Sequence, residues 1–288
     1  SAMTLAICSS FIELFSEIDS SLVDISEQDT IAVSYTGSFP GANIALLSAC
    51  KAMNIKPVIT SSAGSSAWGA NRPEFSWPAI ESFLYKKKLI DYKSVAYSIG
   101  GGNDVGDNLQ YEGNLLISDV IFNLVDNQTE FVNESTLQDN IDKKLSIYKD
   151  YYKLSDYSVF VNIGGGSASL GYGIEKDTMK VGIVSPLDIE YIESENFKNT
   201  IAHTFLSSDI PMINIKNINK LGAQYNLYPP SLKNKIYKGP LFIQYNNYNP
   251  IVILIGLISS LLIIVSIGIF SHLQIKKRME EHEPDSVI

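Results

Sequence analysis

The stretch TIAVSYTGSFPGANIALLSACKAMNIKPVITSS, residues 30–62, contains the pattern that decides the fold. Residues 30–35 are a short run of apolar and β-branched side chains, which is typical of a buried strand. A turn at 36–41 follows, then residues 42–54 with helical composition, and then a second strand-like run at 57–61. A strand, a glycine-containing loop, a helix and another strand form the unit from which parallel sheets are built.

The same order of elements recurs further along the chain. A strand-like run at 94–99 leads into the glycine-rich loop 100–106, and another run at 158–163 leads into the loop 164–171. We therefore predict an α/β fold with a mostly parallel sheet, Gly-rich strand-to-helix loops and a Rossmann-like three-layer arrangement. Residues 175–245 are less regular, and we predict α/β structure there as well. Helices are also predicted near residues 3–23, 77–87, 113–126 and 137–154.

A second strong signal lies near the C-terminus. Residues 251–270 contain no charged side chain, and at about 1.5 Å per residue they cover the roughly 30 Å hydrocarbon core of a bilayer. We predict one transmembrane helix at 250–271. It follows a globular domain at 1–245, for which a division near 175 is left open, and precedes a cytoplasmic tail at 272–288.

The residues that flank this apolar run predict its orientation. Lys276, Lys277 and Arg278 form a basic cluster after it, whereas Tyr245 and Tyr248 precede it. Basic clusters favour the cytoplasmic side, and aromatic residues favour either interface. The sequence therefore predicts a single-pass protein of the cell membrane with a large extracytoplasmic domain and the lipid bilayer as a partner.

Composition argues against several classes of function. The net charge of −9 disfavours nucleic acid as a partner, because nucleic-acid binding needs a basic surface.

Cys8 and Cys50 are the two cysteines, so there is no disulfide framework, and whether the two pair is left open. His203 lies in an apolar, helix-like setting that favours a packed structural role. No metal site is predicted, because one histidine ahead of the apolar run cannot build a multi-histidine zinc site.

The four strand-to-helix loops together predict a binding site. In open parallel sheets, ligands bind beyond the carboxyl ends of the strands. Glycine lets backbone amides approach a ligand, and helix N-termini offer N–H groups and a partial positive charge. The expected ligand therefore carries a carboxylate or a phosphate. The predicted ligand-binding residues are Thr36, Gly37, Ser38, Arg72, Asn71, Gly101, Gly102, Asn103, Gly165, Gly166 and Ser167.

Each of these assignments has a simpler alternative. The glycines can serve only as tight strand-to-helix turns, and Arg72 can be a surface charge beside a proline turn instead of a carboxylate partner. Asp104 is a candidate general acid or base, or a cation ligand, yet it can also cap the following helix. Ser65 and Ser66 are candidate nucleophiles.

Nucleotide fingerprints do not occur in the sequence. There is no GxxxxGK[ST] motif, and the GGG stretches do not form GxGxxG with an acidic residue at the expected distance. A GxSxG nucleophile elbow is also absent. The sequence therefore predicts no cofactor.

Three segments resemble a known family: SYTGSFPGANIALLSACKAMNIKPVITSSAGSSAWGANRPEFSWPAIESFL, SIGGGNDVGDNL and NIGGGSASLG. They are similar to the poly-gamma-glutamate system protein family, which is encoded beside capsule-polymer synthases in some bacteria. The resemblance covers about residues 5–175, and the run SSAWGANRPEFSW is quite specific to the family. It implies a bacterial cell-envelope protein whose partner is poly-gamma-glutamate or its synthase complex, and it implies no particular reaction.

Three hypotheses of different class follow. The first is a membrane-anchored accessory protein of poly-gamma-glutamate synthesis, export or processing that binds a glutamyl ligand in a Gly-rich crevice. The second is a gamma-glutamyl hydrolase or transferase that uses Ser65 or Ser66 with Asp104 or His203 in support. The third is a sugar-phosphate binding module, which rests on analogy of fold alone.

Overall fold

The computed structural model describes residues 25–64, 72–172, 179–188, 195, 197–224 and 250–281. The chain divides into two compact units, Ser1–Asn234 and Lys235–Ile288, and each is considered by itself. The helix predicted at 3–23 lies outside the described residues, and so do the last residues of the predicted tail.

The first unit contains a seven-stranded sheet. Its strands are β1 (Thr30–Thr36), β2 (Lys56–Ser62), β3 (Ala96–Ser98), β4 (Glu130–Val132), β5 (Val159–Ile163), β6 (Gly182–Val184) and β7 (Met212–Ile215). The strand order is β4-β3-β2-β1-β5-β7-β6. Every pair is parallel except β6 with β7. This confirms the predicted α/β class with a mostly parallel sheet.

Helices pack on both faces of this sheet. They are α1 (Pro40–Ala52), α2 (Trp77–Lys86), α3 (Tyr111–Phe122), α4 (Leu137–Tyr151), α5 (Ser167–Leu170), α6 (Ile201–Ser207) and α7 (Ile218–Gln224). Ile31 and Val33 of β1 are buried in a cluster with α1, whereas Ala32 belongs to a second cluster with α4 and α6. Successive side chains of a strand point to opposite faces, so both faces of β1 are covered.

Local sequence explains where α1 begins and ends. Pro40 occupies the first turn, where its fixed φ suits a helix and its missing N–H costs nothing. Beyond the helix, Asn54 adopts a left-handed conformation with φ of 54°, which asparagine tolerates better than most residues. The chain then enters β2 at Lys56.

The sequence-based boundaries of β1, β2, β5 and α1 lie within one or two residues of the structure. The sequence analysis missed β4, because Glu130–Val132 is too short to show a period. Within 175–245 the structure contains β6, α6, β7 and α7, and β6 runs antiparallel to its neighbour.

The described part of the second unit is one helix, α8 (Pro250–Glu281). Its segment Leu254–Met279 has 26 residues and a mean hydropathy of 2.5, and none of its apolar window is buried. The segment is long and apolar enough to cross a membrane. The helix continues beyond residue 271 into the predicted tail, since Lys, Arg, Met and Glu are good helix formers.

Gly164 allows β1 and β5 to end close together. Its φ is +103°, a conformation that side chains rarely adopt, and a Cβ placed there would lie 2.0 Å from Thr36 Oγ1. Glycine is therefore required at this point by both the backbone angle and the space. Gly113, in α3, has no atom within 4 Å of a built Cβ and offers a contrast.

Gly164→Ala is expected to lower the free energy of unfolding by about 2–4 kcal/mol. Alanine is strained at a positive φ, and its methyl group would overlap Thr36. The matched control Gly113→Ala should raise stability by about 0.5–1 kcal/mol, since alanine favours a helix. Chemical denaturation of the full chain in detergent measures both values. Equal effects of the two substitutions would contradict the assigned packing at Gly164.

Candidate functional site

The order of the strands creates a topological switch point beside β1. From β1 the chain builds β2, β3 and β4 on one side, and β5 then pairs with β1 on the other side. The loops after β1 and β5 therefore leave in opposite directions. In open α/β sheets, ligands bind at such a switch point, outside the carboxyl ends of the strands.

Loops that follow β1, β2, β3 and β5 meet at this edge. Gly37 N donates to Ser62 O at 3.0 Å, and Gly64 N donates to Ile99 O at 2.7 Å. A Cβ built on Gly64 would lie 2.8 Å from Gly101 N. Ser167 Oγ contacts Gly101 O at 3.5 Å and links the β5 loop to the β3 loop. The structure thus brings together the loops that the sequence analysis assigned to one site.

Thr36, the last residue of β1, carries an unpaired hydroxyl at the switch point. The residue is 7% exposed, and its Oγ1 is buried and has no hydrogen-bond partner within the described part of the chain. It lies against Gly164 and close to Gly166. A buried hydroxyl without a partner is costly, so this atom is a natural point for a ligand group to bind.

The N-terminus of α1 lies next to Thr36 along the chain. Its N-cap residue is Phe39, which makes no side-chain hydrogen bond to the first turn. Asn43 Nδ2 donates to Thr36 O at 3.1 Å and joins the helix to the end of the strand. An uncapped helix start beside an unpaired hydroxyl has the donors and the dipole direction that suit an anion.

A buried ion pair holds the loop after β3. Lys144 Nζ of α4 donates to Asp104 Oδ2 at 2.6 Å, and both side chains are 1% exposed. Lys144 also donates to Ser98 Oγ at 2.8 Å and Ser62 Oγ at 3.2 Å. The same two hydroxyls donate to Asp104 Oδ1 at 3.0 Å and 2.8 Å. Every donor and acceptor of the pair is thus used inside the protein, as a buried ion pair requires.

The backbone at this loop is unusual. Asn103 and Asp104 have φ of 55° and 61°, in the left-handed region, although neither is glycine. Asn140 Nδ2 donates to the carbonyl of Asp104 at 3.4 Å. Such residues persist where the surroundings hold them, and here the ion pair and Asn140 do so. Asp104 does not cap α3, because its carboxylate is committed to Ser62, Ser98 and Lys144.

A row of polar side chains also runs across neighbouring strands, on the face of the sheet that α4 and α5 cover. Ser34 of β1 contacts Ser169 of α5, with 2.6 Å between their hydroxyl oxygens. Asn162 of β5 donates to Gly164 O and to Asn214 Oδ1, both at 2.9 Å. Asn162 thereby orients the turn that faces Thr36. This row places hydrogen-bonding groups in a layer that is apolar in most sheets of this kind.

Of the predicted site residues, some lie outside the described residues, two are exposed or bonded away from the cluster, and the rest border the loop cluster. Ser65, Ser66 and Asn71 lie outside the described residues. Arg72 is exposed, and Asn103 donates to the carboxylate of Asp107. The remaining predicted residues border the loop cluster: Thr36, Gly37, Ser38, Gly101, Gly102, Asp104, Gly165, Gly166 and Ser167.

Sequence reasoning missed the groups that organise these loops. Lys144 lies within an amphipathic helix pattern, where a lysine is expected to face solvent, yet it is 1% exposed. Ser62, Ser98 and Asn162 end or nearly end their strands, and their polarity at buried positions was the signal that could have identified them. Among the described residues, no group of three or more His, Cys, Asp or Glu side chains is placed to hold a metal ion.

A second buried polar cluster lies on the α2 side of the sheet. Glu81 is fully buried and accepts from Tyr97 Oη at 2.5 Å and from Ser94 N at 3.0 Å. Burial raises the pKa of Glu81 above its ordinary value, and the hydrogen bonds from Tyr97 and Ser94 oppose that shift. The folded protein therefore binds the Glu81 proton more tightly than the unfolded chain does.

The fold and the site define a mostly parallel α/β protein with a loop cluster at the switch point, followed by a helix able to cross a membrane. Comparison with protein-family models, with curated proteins and with solved structures finds no match.

Lys144→Met is expected to lower the free energy of unfolding by about 3–5 kcal/mol, because it leaves the Asp104 carboxylate buried and unpaired. The control Lys51→Met removes a lysine from an ion pair with Asp91 whose side chains are 49% and 48% exposed, and it should cost less than about 1 kcal/mol. The double variant Lys144→Met/Asp104→Asn should recover part of the loss. Denaturant titration measures these values, and equal losses at Lys144 and Lys51 would refute the buried pair.

The Glu81 proton should make stability depend on pH. Because the folded pKa of Glu81 is raised above 4.5, its contribution to stability is fully present below that pH and is lost as pH rises through the folded pKa. Glu81→Gln should remove this slope, whereas Glu112→Gln, at an exposed position of α3, should retain it. Unfolding free energies measured between pH 4 and 8 test this, and parallel profiles for wild type and Glu81→Gln would contradict it.

Proposed function

We propose that this chain is a membrane-anchored accessory protein of poly-gamma-glutamate synthesis, export or processing. In this proposal α8 crosses the bilayer of the cell membrane, and the first unit lies outside the cytoplasm. The Gly-rich loops of a Rossmann-like sheet bind a glutamyl group of the polymer or of its precursor. The resemblance of residues 5–175 supports the pathway, and the apolar helix Leu254–Met279 supports the anchor.

One observation carries the binding site: the buried, unpaired Oγ1 of Thr36 beside the uncapped start of α1. A carboxylate bound there would accept from the Thr36 hydroxyl and from first-turn amides of α1. Helix N-termini stabilise negative charge in the same position. The hydroxyl would thereby gain the partner that it lacks in the free protein.

The charges around the crevice favour short ligands over broad binding of the polymer. Lys144 is a buried cation beside the loop cluster, and Asp104 already neutralises it. The chain has a net charge of −9, which repels a long polyanion. Affinity must therefore come from neutral donors at one place, and such donors suit one or a few glutamyl units.

The geometry supports binding more directly than hydrolysis. Asp104, the candidate acid, is 1% exposed and its carboxylate is fully occupied by internal donors. A general acid or base must reach the group whose proton it transfers. We therefore propose the accessory role, and the hydrolase or transferase with Ser65 or Ser66 remains an outcome of the test.

Thr36→Val is expected to weaken binding of γ-L-glutamyl-L-glutamate by roughly 10- to 100-fold, because it removes a hydrogen bond to a charged group. Stability should be unchanged or slightly higher, since the Thr36 hydroxyl has no partner to lose. Isothermal titration calorimetry of the full chain in detergent measures the affinity. The matched control is Thr129→Val, at a threonine that is 3% exposed and lies just before the edge strand β4.

Three results would revise the proposal. Undiminished binding by Thr36→Val would remove the assigned site. Binding of glucose 6-phosphate in preference to the glutamyl dipeptide would favour a sugar-phosphate module. Shortening of poly-gamma-glutamate in the same incubations, abolished by Ser66→Ala, would make the protein a processing enzyme.

A further inference from the structure

The end of α2 and the turn that follows it form an exposed surface of mixed basic and apolar character. Phe83 is 57% exposed, Tyr85 40% and Leu89 61%. Lys86, Lys87 and Lys88 lie between them and are exposed as well. We call these six residues the α2-end surface. They place three large apolar side chains and three cations within seven consecutive residues.

Among the described residues, no carboxylate forms an ion pair with the cations of this surface. Nearby lysines are paired, since Lys51 binds Asp91 at 2.8 Å and Lys93 binds Asp126 at 2.5 Å. No ion pair in the described part of the chain involves Lys86, Lys87 or Lys88. Lys87 instead lies 5.9 Å from the ring centroid of Phe83. The surface is therefore a local positive patch on a protein with a net charge of −9.

We propose that the α2-end surface docks on the headgroup region of a bilayer that contains anionic lipids. Lysines are attracted to anionic headgroups, and exposed Phe, Tyr and Leu side chains enter the interface between headgroups and acyl chains. The same chain carries a helix able to cross a membrane, so a bilayer is available to it. Docking adds a second, reversible contact to the anchor.

The apolar side chains favour a bilayer over a soluble polyanion as the partner. A polyanion would use the three lysines and would leave Phe83 and Leu89 in water. A bilayer uses both kinds of side chain, because its interface offers negative charge and an apolar layer within a few ångströms. Charge alone would suit either partner, but the exposed aromatic and aliphatic groups suit only the membrane.

The position of this surface in the fold is consistent with binding at the crevice. Helix α2 starts after the carboxyl end of β2 and ends before the amino end of β3. Its last turn therefore lies at the amino edge of the parallel strands, opposite the loops around Thr36. Contact with lipid at this edge leaves the loop cluster free for a ligand.

The test places the full chain in liposomes of phosphatidylcholine alone or of phosphatidylcholine with phosphatidylglycerol. In a Cys8→Ser background, where Cys50 is buried, Leu89→Cys carries a nitrobenzoxadiazole label and Gln138→Cys carries the same label as a reference. Gln138 is exposed at the start of α4, at the opposite edge of the sheet. Doxyl-labelled lipid in both leaflets quenches a label that reaches the interface, whichever way the chain is inserted.

We expect strong quenching at position 89 with anionic lipid, little quenching at position 138, and weakening at position 89 in high salt. Replacing Lys86, Lys87 and Lys88 with Gln should shift the docking equilibrium by about a hundredfold toward the free state. The matched single variants are Lys87→Gln, which should weaken the quenching, and Lys220→Gln, which should leave it unchanged although the net charge falls equally. Lys220 is exposed in α7, which follows the carboxyl end of β7.

Two results would overturn the proposal. Absence of quenching at position 89 in both lipid mixtures, or equal quenching at positions 89 and 138, would show that the α2-end surface is not a specific contact with the membrane. A label at position 89 that responds to soluble poly-gamma-glutamate in phosphatidylcholine liposomes, but not to phosphatidylglycerol, would assign the surface to a polyanion. Melting temperatures of all variants distinguish either result from misfolding.

Discussion

The ion pair between Asp104 and Lys144 is the interaction on which the loop cluster depends. It joins the loop after β3 to α4, and through Ser62 and Ser98 it also holds the ends of β2 and β3. Burying two charges is costly, and attraction between them compensates only when every remaining donor and acceptor is satisfied. Because that condition fixes several groups at once, the loop after β3 has one arrangement, including the left-handed Asn103 and Asp104.

The contacts that hold Gly64 and the loop after β3 bear on recognition. If these residues were free to move, a ligand would have to order them on binding, and the ordering entropy would reduce affinity. Here internal contacts already hold Gly64 close to Gly101, and Asn162 orients the turn opposite Thr36. The Thr36 hydroxyl differs from these groups because it has no hydrogen-bond partner among the described residues. The loop cluster thus combines prearranged contacts with an unsatisfied hydroxyl at the switch point.

The local parts of this structure follow from the sequence, and the long-range parts do not. The run at 30–35, the turn with Pro40 and the apolar helix after it contain their own signals, so β1 and α1 could be placed within two residues. Lys144 could not be placed, because its partner lies 40 residues away and a lysine in a helix normally faces water. Glu81 was missed for the same reason, since its partners are distant in sequence: Tyr97 lies in β3, and Ser94 lies just before that strand. The gathering of the loops was predictable only because parallel strands end at one edge.

The ends of the sheet have a consequence for the membrane anchor proposed above. Among the described residues, β4 and β6 are the two edge strands, and each has three residues. A long free edge offers unpaired N–H and C=O groups on which a strand from another molecule can add, which leads to aggregation. Anchored chains diffuse in two dimensions and collide often, so long edges would be hazardous for them. Short edge strands leave few free groups, so if α8 anchors the chain as proposed, neighbouring molecules can crowd in the plane of the bilayer without joining their sheets.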